Sequence, residues 1–164
     1  DISLPFKFSA LLAALLLAVM SLALPAQAFE RADRPDFAQT SVRIDRGDGT
    51  VLTFSVELAL SPRQHAYGLM HVDRMQPDRG MLFVFRNTAK RSFWMKNTLI
   101  PLDMLFFDET GLLVTAITEV PALSLTPRRS TAGAKYVLEL NAGTARGMGI
   151  GKAANLLLPV RGLE

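Results

Sequence analysis

The chain has 164 residues, a formal charge of +3 from 18 basic and 15 acidic side chains, and no cysteine. Its charges are interspersed, with no basic run longer than Arg128-Arg129, so the phosphate-facing stripe that nucleic-acid binding requires is missing. Without cysteine, neither a disulfide framework nor a thiolate metal site is available, and the folded part must stand on its apolar core.

At the start, Lys7 precedes the uncharged apolar stretch Phe8 to Leu24, which breaks at Pro25 and leads into Ala26-Gln27-Ala28, a small-residue cleavage pattern. Residues 8–24 are at the short limit for crossing a bilayer, so 1–28 read as a cleaved secretory signal rather than an anchor. No cysteine follows the cut to carry a lipid. The expectation is a periplasmic or secreted protein with no membrane segment after cleavage. Its mature chain starts at Phe29 and is the size of one domain.

Residues 29–41, F-E-R-A-D-R-P-D-F-A-Q-T-S, are charged and poor in aliphatic residues and read as a flexible tether, which leaves 42–164 as a single globular domain. V-R-I-D-R, the turn Gly47-Asp48-Gly49 and V-L-T-F-S-V-E-L predict a hairpin. Its period of two puts Leu52, Phe54, Val56 and Leu58 on one face, with Thr53, Ser55 and Glu57 on the other. Ser61-Pro62 supplies an N-cap and a proline at the first helical position, so a short helix follows, weakened at Gly68. A turn at Asp78-Arg79-Gly80 leads to the strand M-L-F-V-F and a polar loop from Arg86 to Arg91. F-W-M-K-N-T-L, a bend at Pro101, L-D-M-L-F-F, a turn at 108–111 and L-L-V-T-A-I-T-E-V read as an antiparallel meander. After a loop over Pro121 to Gly133, K-Y-V-L-E-L is a strand, Asn141 is placed to cap a short helix, and L-L-L-P-V closes the domain as an edge strand. Strands and helices do not alternate regularly. The expected fold is therefore α+β: a compact, mostly antiparallel, curved or barrel-like β-sheet with two short helices.

Four of these segments carry a resemblance: R-x-x-A-x-G-L-M at Arg63 to Met70, R-G-M-L-F-V-F at Arg79 to Phe85, S-F-W-M-K-N-T-L-I-P-L-D at Ser92 to Asp103, and Y-V-L-E-L-N-A-G at Tyr136 to Gly143. Taken in order, they resemble the domain-of-unknown-function family 192, over about Val51 to Pro159. The resemblance implies a compact β-rich domain with short helices, of a kind often exported, and implies no reaction. The chain departs from the family pattern at His71-Val72-Asp73-Arg74 and at G-I-G-K-A-A from Gly149 to Ala154.

The chemistry concentrates between Ser92 and Asp108, where Lys96, Asn97 and Asp103 stand among apolar residues. Charges so placed must be paired, hydrogen-bonded or facing a cleft. Two readings are open. In one, Lys96, Asn97 and Asp103, joined by Glu139 and walled by Trp94, form a polar pocket for a small-molecule ligand. In the other, Lys96 and Asp103 are a buried ion pair that fixes strand register, which is weak support for catalysis. No motif names a reaction, so whether the protein is an enzyme stays open. A hydrolase-like alternative would use Asp103 as base with Lys96 and Asn97 as electrostatic stabilisers. A third alternative is a structural partner of another envelope protein.

Metal and cofactor readings are weaker. His65 and His71 are not paired at zinc-ligand spacing. Met70, Met81 and Met95 offer thioethers to copper but lie in apolar patterns where methionine is ordinary filling. Gly147, Gly149 and Gly151 before Lys152 lack phosphate-loop spacing, and Ala153 stands where Ser or Thr would hold magnesium. No cofactor and no metal are therefore expected. The reading is an exported binding or accessory module of the cell envelope, without nucleic acid.

Overall fold

The computed structural model describes residues 34–160 and 163; the expected signal segment, 1–28, lies outside them. Strands β1 (Ala38–Asp45) and β2 (Val51–Ala59) form the expected hairpin, from Ala38 opposite Leu58 to Asp45 opposite Val51. Gly47 and Gly49 both take φ of 87°, and the Asp45 and Asp48 carboxylates accept from the Gly47 and Thr50 amides, which closes the turn. Phe54, Val56 and Leu58 are buried, as alternation requires. The strand begins at Ala38, inside the stretch read as tether. Its first side chains are mostly exposed, so backbone pairing with β2, which leaves no hydrophobic signature, orders it.

Helix α1 (Pro62–Tyr67) starts in a full capping box: Ser61 Oγ accepts from the Gln64 amide and Gln64 Oε1 accepts from the Ser61 amide. It stops at Gly68, whose φ of 51° and ψ of −134° suit only glycine, and where a Cβ would lie 3.2 Å from the Phe83 ring. The helix carries the chain over so that β3 (Arg79–Ala89) runs parallel to β2. β3 takes in Arg79 and Gly80, read as turn, and residues 86–89, read as polar loop. Gly80 through Val84 and Ala89 pair with β8 (Ala134–Asn141) across an irregularity, and the polar side chains of the extension face water.

β5 (Leu102–Phe107) is buried at every position, because it lies between β8 and β6 (Leu113–Val120) with apolar layers on both faces. The seven-stranded order is β6-β5-β8-β3-β2-β1-β9, where the edge strand β9 (Asn155–Leu156) shares only Leu156 with the stretch Leu156 to Val160 read as one. The sheet curls until its ends meet. The Leu113 amide donates to Ala154 O at 3.0 Å and the Leu156 amide to Gly111 O at 2.7 Å. This is the expected α+β, barrel-like sheet, with two short helices among the described residues: α1 and α2 (Thr144–Gly147). Val42, Ile44, Phe54, Leu105, Leu138 and Leu140 pack on one face of the sheet. Leu69, Met81, Phe83, Met95, Met104 and Phe106 pack on the other, beneath α1 and the loops. No helix among the described residues is long and apolar enough to cross a membrane.

Two local expectations fail for identifiable reasons. The strand read over Phe93 to Leu99 contracts to β4 (Ser92–Phe93), paired with β7 (Arg128–Arg129), because Asn97 adopts a φ of 54° and the Thr98 amide turns back to Met95 O at 3.1 Å. Asn141 does not cap α2. It is the last residue of β8, and its side-chain amide donates to Met75 O and Gln76 O, both at 3.0 Å.

Candidate functional site

Loop 94–98 is held by backbone bonds on three sides. The Met95 amide donates to Ser124 O at 2.8 Å, the Leu123 amide to Thr98 O at 3.0 Å, and the His71 amide to Asn97 O at 2.9 Å. Met95 is thereby buried in the outer apolar layer, while Trp94 and Lys96 face outward. The Lys96 Nζ lies 5.4 Å from the Trp94 ring centroid, a cation–π approach. Asn97 uses its side-chain amide on Met70 Sδ at 4.0 Å, so it supports the loop rather than opening toward a ligand.

The focus expected of Lys96, Asn97 and Asp103 is divided between the two faces of the sheet. Asp103 lies on the inner face with Leu105 and Leu140, fully buried, and all its bonds go to backbone. Its Oδ1 accepts from the Glu119 amide at 2.8 Å and the Gly143 amide at 3.1 Å; its Oδ2 accepts from the Ala145 amide at 2.8 Å. The carboxylate thus satisfies the opening amides of α2, the task the sequence reading gave to Asn141, and ties them to β6. Such an engaged group is poorly placed to move a proton.

Glu139 lies on the opposite face. It sits across from Met81 of β3 and Met104 of β5, is 4% exposed, and meets no hydrogen-bond donor among the described residues. Burial alone pushes its carboxyl group up to about 8, so at neutral pH it is mostly the uncharged acid.

Glu139 forms part of the wall of a small cavity of about 40 Å³. Lys96, Trp94 and Thr98 come to it from the 94–98 loop, and Tyr67, Gly68 and Met70 from the end of α1 and its exit. Thr98 is buried and its hydroxyl donates to Lys96 O at 3.4 Å. The Tyr67 hydroxyl is buried with no partner among the described residues. His65 Nε2 is committed to backbone, 2.9 Å from Ala59 O and 3.1 Å from Val84 O. Phe93 stands edge-on to Phe83 at 5.0 Å, which fixes the aromatic side of the cavity.

Lys96, Trp94 and Glu139 line one cavity, while Asp103 is separated from them by the sheet. Thr98 and Tyr67 were missed. Thr98 stands beside Lys96 and Asn97 in the quoted motif, but nothing in a tyrosine ending a short helix marks it. Among the described residues no group of three or more His, Cys, Asp or Glu side chains is placed to hold a metal ion.

A crystal structure of a proposed transcription regulator from Sinorhizobium meliloti is 39% identical with a TM-score of 0.74, over 79% of this chain and 98% of that one. A crystal structure of a protein of unknown function from Novosphingobium aromaticivorans is 26% identical with a TM-score of 0.68, over 73% and 84% respectively. No curated protein matches the chain. The model of the domain-of-unknown-function family 192, described as uncharacterized ACR, matches residues 43–157. Together with the four motifs and the fold that positions them, this match identifies the chain as a member of the domain-of-unknown-function family 192.

Proposed function

We propose that this protein is an exported binding module of the cell envelope that takes a small-molecule ligand in the cavity between Lys96 and Glu139. One observation carries the reading: a nearly fully buried acid with no hydrogen bond to a described residue lines the same cavity as Tyr67, whose hydroxyl is buried without a partner among the described residues. A buried polar group without a partner costs about 1–3 kcal/mol, and a fold whose structure alone were at stake would have an apolar residue there. A ligand supplies the missing bonds. The hydrolase-like alternative with Asp103 as base has no comparable support, since that carboxylate is occupied by three backbone amides.

A thermal-shift screen of the mature protein against metabolites and cell-wall fragments tests the binding reading. A ligand held by the folded state at a hundred times its dissociation constant stabilises it by about 2.7 kcal/mol. Shifts that vanish in Glu139→Leu are the expected result; shifts retained in full by that variant would place binding elsewhere. Export is tested separately by mass spectrometry of the protein from its native host. The expected N-terminus is Phe29 in the periplasmic or secreted fraction, and an uncleaved chain in the cytoplasm would contradict it.

A further inference from the structure

We propose that the cavity takes the carboxylate end of a small monocarboxylic acid with an apolar body, the carboxylate lying between the Lys96 ammonium and the Glu139 carboxyl group. This rests on the binding reading above and names its ligand class. Lys96 and Glu139 line one cavity, yet no ion pair joins them, and Lys96 meets no carboxylate among the described residues. The gap suits a third group that bonds to both. Three groups able to donate line the cavity at neutral pH: the lysine ammonium, the Glu139 acid O–H and the Tyr67 phenol O–H. A carboxylate accepts from all three, pairs its charge with Lys96 and leaves the proton on Glu139. An ammonium ligand would meet Lys96 as a like charge and would pair its own charge at Glu139 only after that group had ionised in an apolar site.

Size and surroundings point the same way. A cavity of about 40 Å³ admits a carboxylate head and little more, so the rest of the ligand must lie across the rim. There Trp94, which lines the cavity, is 51% exposed, and Phe93 lines it beside Trp94. This apolar surface suits an alkyl or aryl body. The titratable groups lining the cavity are His65, Tyr67, Lys96 and Glu139. His65 is committed to backbone carbonyls, and Asp103 of the neighbouring strand faces the opposite side of the sheet.

Trp94 is the sole tryptophan of the chain, so its fluorescence reports on the rim directly. The test titrates the full mature protein with hexanoate, and in parallel with hexylamine, hexanol and hexanamide, between pH 6 and 9. The expected result is a saturable change in Trp94 emission with hexanoate alone, its dissociation constant rising about tenfold per pH unit above 8 as the required proton is lost. Lys96→Ala, an exposed change that leaves the fold intact, is expected to weaken hexanoate at least tenfold. Glu139→Gln, which keeps an N–H donor, is expected to bind hexanoate without the alkaline loss. Binding of hexylamine, hexanol or hexanamide in preference to hexanoate would overturn the carboxylate inference while leaving the binding reading intact. Silence with all four, together with an empty thermal-shift screen, would remove both.

Discussion

Glu139→Gln is expected to abolish a loss of stability of roughly 3–5 kcal/mol that the native protein undergoes as pH rises from about 4.5 to about 8. In the folded protein this carboxyl group titrates near 8, and once unfolded and hydrated near its ordinary value of 4.5. Between those values the native state holds a proton that the unfolded state has released, so the slope of unfolding free energy against pH is negative. Stability from this group is complete below 4.5 and lost as pH passes 8. Glutamine is neutral throughout, so its variant should match the native protein near pH 5 and exceed it near pH 9. Urea unfolding at pH 5, 7 and 9 measures the difference. Native and variant curves that stay parallel across the window would mean that Glu139 is ionised and solvated at neutral pH.

Asp103→Ala is expected to destabilise the fold by about 3–5 kcal/mol, the cost typical of removing one partner from a buried, charge-assisted network. Three backbone amides, from Glu119, Gly143 and Ala145, would lose their acceptor inside the protein. For a domain of this size the midpoint should fall by roughly 10 °C or more. Asp103→Asn retains one acceptor oxygen and should lose less. Any ligand found for the cavity should still bind wherever the Asn variant is folded, because Asp103 faces the other side of the sheet. A variant of normal stability that no longer binds would reverse the roles assigned here to Asp103 and Glu139.

The parts of the fold legible in the sequence are those whose signals are local. Alternation over Val51 to Leu58, the Ser61-Pro62 cap and the glycine turn at 47–49 each encode their own geometry, and the structure has all three. Where long-range pairing decides, the reading weakens. Ala38 to Ser41 join the sheet through backbone bonds that leave no hydrophobic signature, and the extension of β3 to Ala89 depends on Ala134 opposite it. The 94–98 loop reads as part of a strand, F-W-M-K-N-T-L, in an antiparallel meander. Its path is set instead by bonds to Ser124, Leu123 and His71, which no short window reveals.

The candidate site divides along the same line. Charges in apolar stretches single out Asp103 and Glu139, which the fold buries in different ways. Asp103 is explained by amides from distant segments, whereas Glu139 is left without a partner among the described residues. One register step on adjacent strands separates them: Met104, not Asp103, stands opposite Glu139. Sequence spacing does not reveal this, because it depends on how β5 pairs with β8. The same register gives Glu139 its two methionine neighbours and hence its apolar setting.

The most direct measurement is the carboxyl carbon chemical shift of Glu139 followed by NMR from pH 4 to 10, in the native protein with and without hexanoate. A midpoint near 8 that moves upward when hexanoate is present is the expected result, because a bound anion favours the protonated acid. A midpoint near 4.5, unmoved by hexanoate, would contradict the claim that an uncharged, unsatisfied acid waits in this cavity for a ligand.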